Sequence, residues 1–107
     1  MPLQSINPAT GEILENFSEQ TAAEAAAAAV LAHEAFLAWS RSPFSRRSAL
    51  LAGAAAILRA EKNSLARTMT DEMGKPILQS IAEIEKCALV CDYYAAGGEA
   101  MLRRLSR

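Results

Sequence analysis

The sequence predicts a mainly α chain, an amino-terminal β-hairpin followed by four helices. Two observations carry this. A Pro-Ala-Thr-Gly turn at residues 8–11 is followed by a segment of two-residue period, and apolar residues then recur at helical spacing through most of the remaining chain. Proline and glycine interrupt that spacing at Pro43, at Gly74-Lys75-Pro76 and at Gly97-Gly98, dividing it into successive helices.

Ser5-Ile6-Asn7 leads into Pro8-Ala9-Thr10-Gly11, where proline presets a turn angle and glycine takes the left-handed conformation that closes it. Beyond the turn Ile13, Glu15 and Phe17 share one face and Leu14 and Asn16 the other, so a second strand ends near Ser18. Thr21-Ala22-Ala23-Glu24 fits a capping box and starts the first helix. Ala25, Ala28, Ala29, Ala32, Phe36 and Trp39 follow at helical spacing, the small-residue half of a packed stripe. After Ser42-Pro43-Phe44, Ser45 is expected to cap a second helix to about Ala60, with Leu50, Leu51, Ala54, Ile57 and Leu58 as its apolar face. Arg46 and Arg47 in its first turn oppose the helix dipole, and are either paired with acidic groups or solvated. Glu61 to Ser64 opens a third helix with Leu65, Ala66, Met69 and Met73 on one face. A fourth, after Pro76, carries Ile77, Ile81, Ile84, Ala88, Cys91 and Ala95 along a stripe widened by Cys87, Val90 and Tyr94. Gly97-Gly98 is expected to stop it, leaving Glu99 to Arg107 as a short basic tail.

A chain of 107 residues, 51% of them hydrophobic, is the size of one domain, and one compact unit is expected. Eleven basic against twelve acidic side chains leave no excess charge for a nucleic-acid backbone, which excludes nucleic acid as the expected partner. The opening MPLQSINPATG lacks a secretory signal's basic and apolar regions. The apolar run Ala25 to Ala32 falls far short of the roughly 20 residues of a membrane span, so neither a membrane partner nor a bilayer segment is expected and the predicted location is cytoplasmic.

Glu72-Met73-Gly74-Lys75-Pro76 raises the question of a phosphate-binding loop. Such a loop needs a glycine-rich turn after a strand and a Ser or Thr after its lysine. Here one glycine follows a helix and proline follows Lys75, so the stretch reads as a joint. Gly74 takes the left-handed position past the third helix, Lys75 faces the last carbonyls, and Pro76 suits the first turn of the next helix. His33 is the single histidine and, with no neighbouring ligand type, reads as surface or partly packed. Cys87 and Cys91 have a spacing compatible with half of a metal site, but read as small fillers of a buried helix face. Arg103-Arg104-Leu105-Ser106 has the form of a basic-directed kinase site and carries little weight. No catalytic, cofactor-binding or metal-binding residue is assigned from these residues.

Several segments in order nevertheless carry a resemblance. They are Ser5-Ile6-Asn7-Pro8-Ala9-Thr10-Gly11-Glu12, Ala35-Phe36 with Trp39-Ser40, Arg47 with Leu50, Leu65-Ala66 leading to Glu72-Met73-Gly74-Lys75-Pro76, and Glu83-Ile84-Glu85-Lys86 with Cys91-Asp92-Tyr93-Tyr94-Ala95. From about Leu3 to Ala100 the chain resembles the amino-terminal part of an aldehyde dehydrogenase, most closely the bacterial succinate-semialdehyde type. The resemblance implies part of an α/β enzyme with a doubly wound NAD(P)-binding domain, a catalytic domain and an oligomerisation sheet. In such enzymes a cysteine thiolate attacks the aldehyde, hydride passes to the nicotinamide and a glutamate-activated water hydrolyses the thioester.

The family's nucleophile, base, oxyanion asparagine and cofactor lysine lie in motifs downstream of this segment, so neither Cys87 nor Cys91 is the catalytic thiol. The resemblance divides the chain into a leading hairpin at 1–20, a helical segment at 21–96 that packs on the cofactor domain, and a tail at 97–107. The tail departs from the family's extended continuation and reads as truncated or frame-altered. NAD or NADP belongs to the full-length family and is not expected to bind this chain alone. The expected partner is the remainder of the dehydrogenase or a full-length subunit of the homo-oligomer. Two functional expectations result: an amino-terminal dehydrogenase fragment inactive by itself, or a stand-alone helical module docking on a partner such as a full-length relative. The first predicts apolar helix faces left uncovered and a hairpin with no sheet to join.

Overall fold

The computed structural model describes residues 2–105, in the order β1 (Leu3–Ile6), β2 (Ile13–Phe17), α1 (Ala22–Trp39), α2 (Phe44–Ala60), α3 (Lys62–Met73) and α4 (Ile77–Leu105). A hairpin and four helices thus appear as the residue pattern predicts. The strands pair antiparallel, with Leu3 opposite Phe17, Gln4 opposite Asn16 and Ser5 opposite Glu15, and an irregularity between Ser5 and Ile6 brings Ile6 opposite Ile13. Asn7 organises the turn. Its Oδ1 accepts from the Ala9 and Thr10 amides at 2.9 and 3.3 Å, and Gly11, at φ +79°, donates to the Asn7 carbonyl at 2.8 Å.

The capping box at the start of α1 is complete. The Glu24 amide donates to Thr21 Oγ1 at 3.2 Å and the Thr21 amide to Glu24 Oε2 at 2.8 Å. The expected packing of this helix is not found: none of its residues is buried, and the Ala25 to Trp39 stripe faces outward, with Phe36 56% exposed. No other described element lies across it. It projects from the remaining helices as an arm.

The core forms where α2 and α3 pack on α4. Ala55, Ala66, Ile84, Ala88 and Ser80 are its buried residues. Four of the five are Ala or Ser, which lets helix backbones approach closely. Ser80 Oγ lies 2.9 Å from Thr70 Oγ1, satisfying the hydroxyl that α4 buries against α3. Around the rim, Arg59 reaches Asp92 at 2.6 Å and Lys62 reaches Glu85 at 2.8 Å, tying α2 and α3 to α4. Of the apolar face expected for α2, Ala54 and Leu58 are half-buried, but Leu50 and Ile57 are more than half exposed and turn away from the core. Met73 of α3, and Cys87, Val90 and Tyr94 of α4, are exposed as well.

Two helix boundaries differ from expectation. Helix α2 starts at Phe44, not after a Ser45 cap. Pro43 is extended at the cap position, and its carbonyl accepts from Arg46 and Arg47 at 3.1 and 3.4 Å. Helix α4 continues through Gly97 and Gly98 to Leu105. Each interior glycine costs about 1 kcal/mol relative to alanine, a local penalty that the long helix absorbs. The following turn carries a Glu99–Arg103 pair four residues apart.

The radius of gyration is 18.3 Å, against about 13 Å for a compact chain of this length, so the expectation of one compact unit does not hold. The accessible surface is 8341 Å², roughly 2,500 Å² above what a folded monomer of this mass exposes. Among the described residues no helix is long and apolar enough to cross a membrane.

Candidate functional site

Three places gather the residues singled out in the sequence. The first is the joint between α3 and α4. Gly74 has φ +71° and its amide donates to the Thr70 carbonyl at 2.9 Å, the left-handed cap that the sequence predicts. The joint has a second requirement: a β-carbon on Gly74 would lie 2.9 Å from Pro8 Cγ, because the hairpin turn rests on it. Ser5 Oγ donates to Glu72 Oε1 at 3.4 Å on the same side. Two segments more than sixty residues apart therefore meet at a glycine. Lys75 does not face the α3 carbonyls; its ammonium pairs with Glu83 of α4, where a full negative charge outcompetes partial ones. Pro76 stands just before α4, and its carbonyl accepts from the Gln79 and Ser80 amides.

The second place is the turn between α1 and α2. Among the described residues neither Arg46 nor Arg47 pairs with a carboxylate; Arg46 is exposed and Arg47 half-buried. Arg47 Nη2 donates to the Trp39 carbonyl at 2.9 Å, at the negative end of the α1 dipole, and its guanidinium lies 5.4 Å from the Trp39 ring and 5.7 Å from the Phe44 ring. Arg46 lies 5.8 Å from the same indole. Arg47 Nε and Ser42 Oγ are buried there with no partner among the described residues. A cation that opposes its own helix thus caps the preceding one. The sequence signal for this is that Trp39 and Phe44 both stand within eight residues before Arg47. His33 lies along the exposed arm, its ring 6.2 Å from Phe36.

The third place is an open groove of about 750 Å³ along α4, lined by Lys75, Ala82, Glu83, Lys86, Cys87, Val90 and Cys91. Cys87 is exposed and Cys91 half-buried, both as free thiols, so the expectation of fillers inside a buried face is corrected. The buried stripe of α4 runs through Ser80, Ile84 and Ala88, and the thiols flank it toward solvent. Among the described residues no group of three or more His, Cys, Asp or Glu is placed to hold a metal ion. Ser106 of the kinase-like stretch lies outside the described residues.

Two carboxylates have perturbed acidities. The Thr21 backbone amide, and then its hydroxyl, hold Glu24 below the ordinary value of 4.5. The hydrogen bond from Lys62 lowers Glu85 likewise, with smaller attractions from the Lys62 and Arg59 charges, against a counteracting desolvation. Both groups stabilise structure, one at a helix start and one between helices. Neither lies among the groove-lining residues.

The sequence model of the aldehyde dehydrogenase family matches residues 1–105. This chain belongs to the aldehyde dehydrogenase family. It is 43% identical over 102 residues to the probable NADP+ succinate-semialdehyde dehydrogenase of Synechocystis, a match covering 95% of this chain and 22% of the relative. It is 40% identical over 102 residues to the NADP+ succinate-semialdehyde dehydrogenase 1 of Mycobacterium tuberculosis, with the same coverages. Among solved structures, succinic semialdehyde dehydrogenase from Streptococcus pyogenes, in complex with NADP+, superposes with a TM-score of 0.83 at 33% identity. That match covers 91% of this chain and 22% of the other. An NADP-dependent enzyme of E. coli superposes with a TM-score of 0.83 at 29% identity, over 94% of this chain and 21% of that one. The chain spans about one fifth of the length of the relatives it matches. The arrangement of hairpin and helices is therefore that of one segment of a dehydrogenase.

Proposed function

We propose that this chain is the amino-terminal segment of an NADP-dependent succinate-semialdehyde dehydrogenase, an enzyme that oxidises the aldehyde to the carboxylate. It carries scaffold rather than catalytic residues. The observation that carries the reading is the match to relatives of that name over 95% of this chain and only 22% of their length. The surface supports it physically. An excess of roughly 2,500 Å² over a compact monomer is about three times what one partner buries in a standard interface, and it is rich in Phe36, Trp39, Leu50, Ile57 and Leu89.

In this reading the hairpin at 1–20 and the helical segment at 21–96 pack against the cofactor-binding part of the enzyme, with α4 continuing past that boundary to Leu105. Neither Cys87 nor Cys91 serves as the nucleophile. No residue of the chain holds the nicotinamide cofactor by itself, and the partner that covers the apolar faces is the remainder of the dehydrogenase.

The test joins two measurements. Purified 107-residue chain, given NADP+ and succinate semialdehyde, is expected to form no NADPH; turnover above a denatured control overturns the assignment of a scaffold role. The intact mass of the native gene product, captured with an antibody against residues 61–75, is expected to be several times 11.5 kDa. A mass equal to the 107-residue chain would favour the stand-alone docking module, for which the exposed Phe36 and Trp39 of α1 are the contact residues to truncate.

A further inference from the structure

Helix α1 buries none of its residues, so the angle at which it leaves the bundle is set at its base. The connection to α2 runs from Ser40 to Pro43, and its amides are bonded back to α1. Ser40 donates to the Phe36 carbonyl at 2.8 Å, Arg41 to the Ala38 carbonyl at 3.3 Å and Ser42 to the Trp39 carbonyl at 2.9 Å. Pro43 has no N–H, and its ring fixes φ, here −67°. The backbone freedom left between the two helices is concentrated at the Ser42–Pro43 step, the one place where α1 can swing.

Arg47 of α2 reaches across that step. Its Nη2 donates at 2.9 Å to the Trp39 carbonyl, the oxygen that also accepts from the Ser42 amide. Its guanidinium lies 5.4 Å from the Trp39 ring at the end of α1 and 5.7 Å from the Phe44 ring at the start of α2. Arg47 Nε and Ser42 Oγ are sealed from solvent at the same bend. A rigid planar fork held by a carbonyl and by a ring on each helix resists a change in the angle between them. Arg46 touches the same indole at 5.8 Å but is exposed.

We infer that Arg47 is a brace that fixes the direction of α1 before the arm meets its partner. Without it α1 stays helical and swings about the Ser42–Pro43 step. The identity of that partner rests on the dehydrogenase reading, in which it is the remainder of the enzyme. An arm already oriented loses less freedom on docking than one that samples many angles.

The angle is measured by electron-spin distance spectroscopy on the 107-residue chain alone, so the result does not depend on what α1 docks against. One nitroxide is attached to Cys87, exposed on α4, with Cys91→Ser removing the second thiol. The other is carried by Ala27→Cys, an exposed position about 18 Å along the helix from Trp39, where a swing is magnified. The doubly labelled parent is expected to give one narrow distance distribution. Arg47→Ala should broaden it, lowering the ratio of braced to free arms about tenfold, as expected for the loss of a hydrogen bond from a charged group, with the helical circular-dichroism signal unchanged. Arg46→Ala should leave the distribution narrow. A broad distribution in the parent, a narrow one in Arg47→Ala, or equal broadening by both variants would each overturn the brace. Broadening that comes with lost helical signal would overturn it too, because Arg47 would then hold the last turn of α1 together rather than set its direction.

Discussion

Helices α1 and α4 begin from similar sequence material and end in opposite environments. Each repeats alanine and larger apolar residues at helical spacing. In α4 that spacing buries Ser80, Ile84 and Ala88 against α2 and α3, whereas in α1 no residue is buried. Apolar periodicity therefore reports that a helix needs cover, and does not report whether the same stretch of chain supplies it. Helix α1 depends on local devices, a capping box at one end and the Arg47 guanidinium on the Trp39 carbonyl at the other. Helix α4 depends on tertiary packing.

The sharpest way to break this contrast is to apply one kind of change to both helices. Ile84→Ala should cost about 2–5 kcal/mol in urea denaturation, because Ile84 is 7% exposed at the helix junction. Ala88→Leu adds three carbons where the native methyl is fully buried and should cost about 1–3 kcal/mol. The same substitution in the arm, Ala28→Leu, should change the midpoint by less than about 0.5 kcal/mol. Equal effects at Ala28 and Ala88 would mean that α1 packs on the bundle in solution.

A second matched pair concerns glycine. Gly74→Ala places a β-carbon at φ +71° and 2.9 Å from Pro8 Cγ, and should cost at least about 1–2 kcal/mol. Gly98→Ala adds a β-carbon to a helix interior with nothing within 4 Å and should stabilise by up to about 1 kcal/mol. Both are read from shifts in the urea midpoint. Destabilisation by both would mean that α4 ends at Gly97 in solution.

These pairs also mark what the sequence made legible. The hairpin, the capping box and the left-handed Gly74 were readable because each is a local device, written within four or five consecutive residues. The contact of Gly74 with Pro8 was not, since it depends on where the hairpin comes to rest. Gly97-Gly98 looked like a stop because two weak helix formers stood together, but propensity is a small cost against the rest of a helix from Ile77 to Leu105. Arg47 looked unfavourable because only its own helix was considered; its partner is the carbonyl end of the helix before. The expected stripe of α4 correctly contains Ile84 and Ala88, but its buried part is narrower than the spacing suggests, which leaves Cys91 at its edge and Cys87 outside it. The family was legible from the order of short segments, and the family's sequence model matches residues 1–105.

The smallest effect distinguishes arm from bundle by acid. Glu24 and Glu85 both have folded acidities below the ordinary 4.5. A carboxylate of lowered pKa contributes stability that is complete above its unfolded value and is lost as pH falls through the folded one. Below about pH 4.5, Glu24 therefore releases the start of α1 and Glu85 releases Lys62 of α3. If α1 is an independent arm, Glu24→Ala should lower the helical circular-dichroism signal at neutral pH and flatten its acid dependence, with the urea midpoint of the bundle unchanged. Glu85→Ala should do the reverse, moving the urea midpoint at neutral pH and reducing its dependence on acid while leaving the α1 signal in place. A Glu24→Ala variant whose urea midpoint falls with its helical signal would join the arm to the cooperative unit. The uncovered stripe of α1 would then have a partner within the chain, and α1 and α4 would differ only in degree.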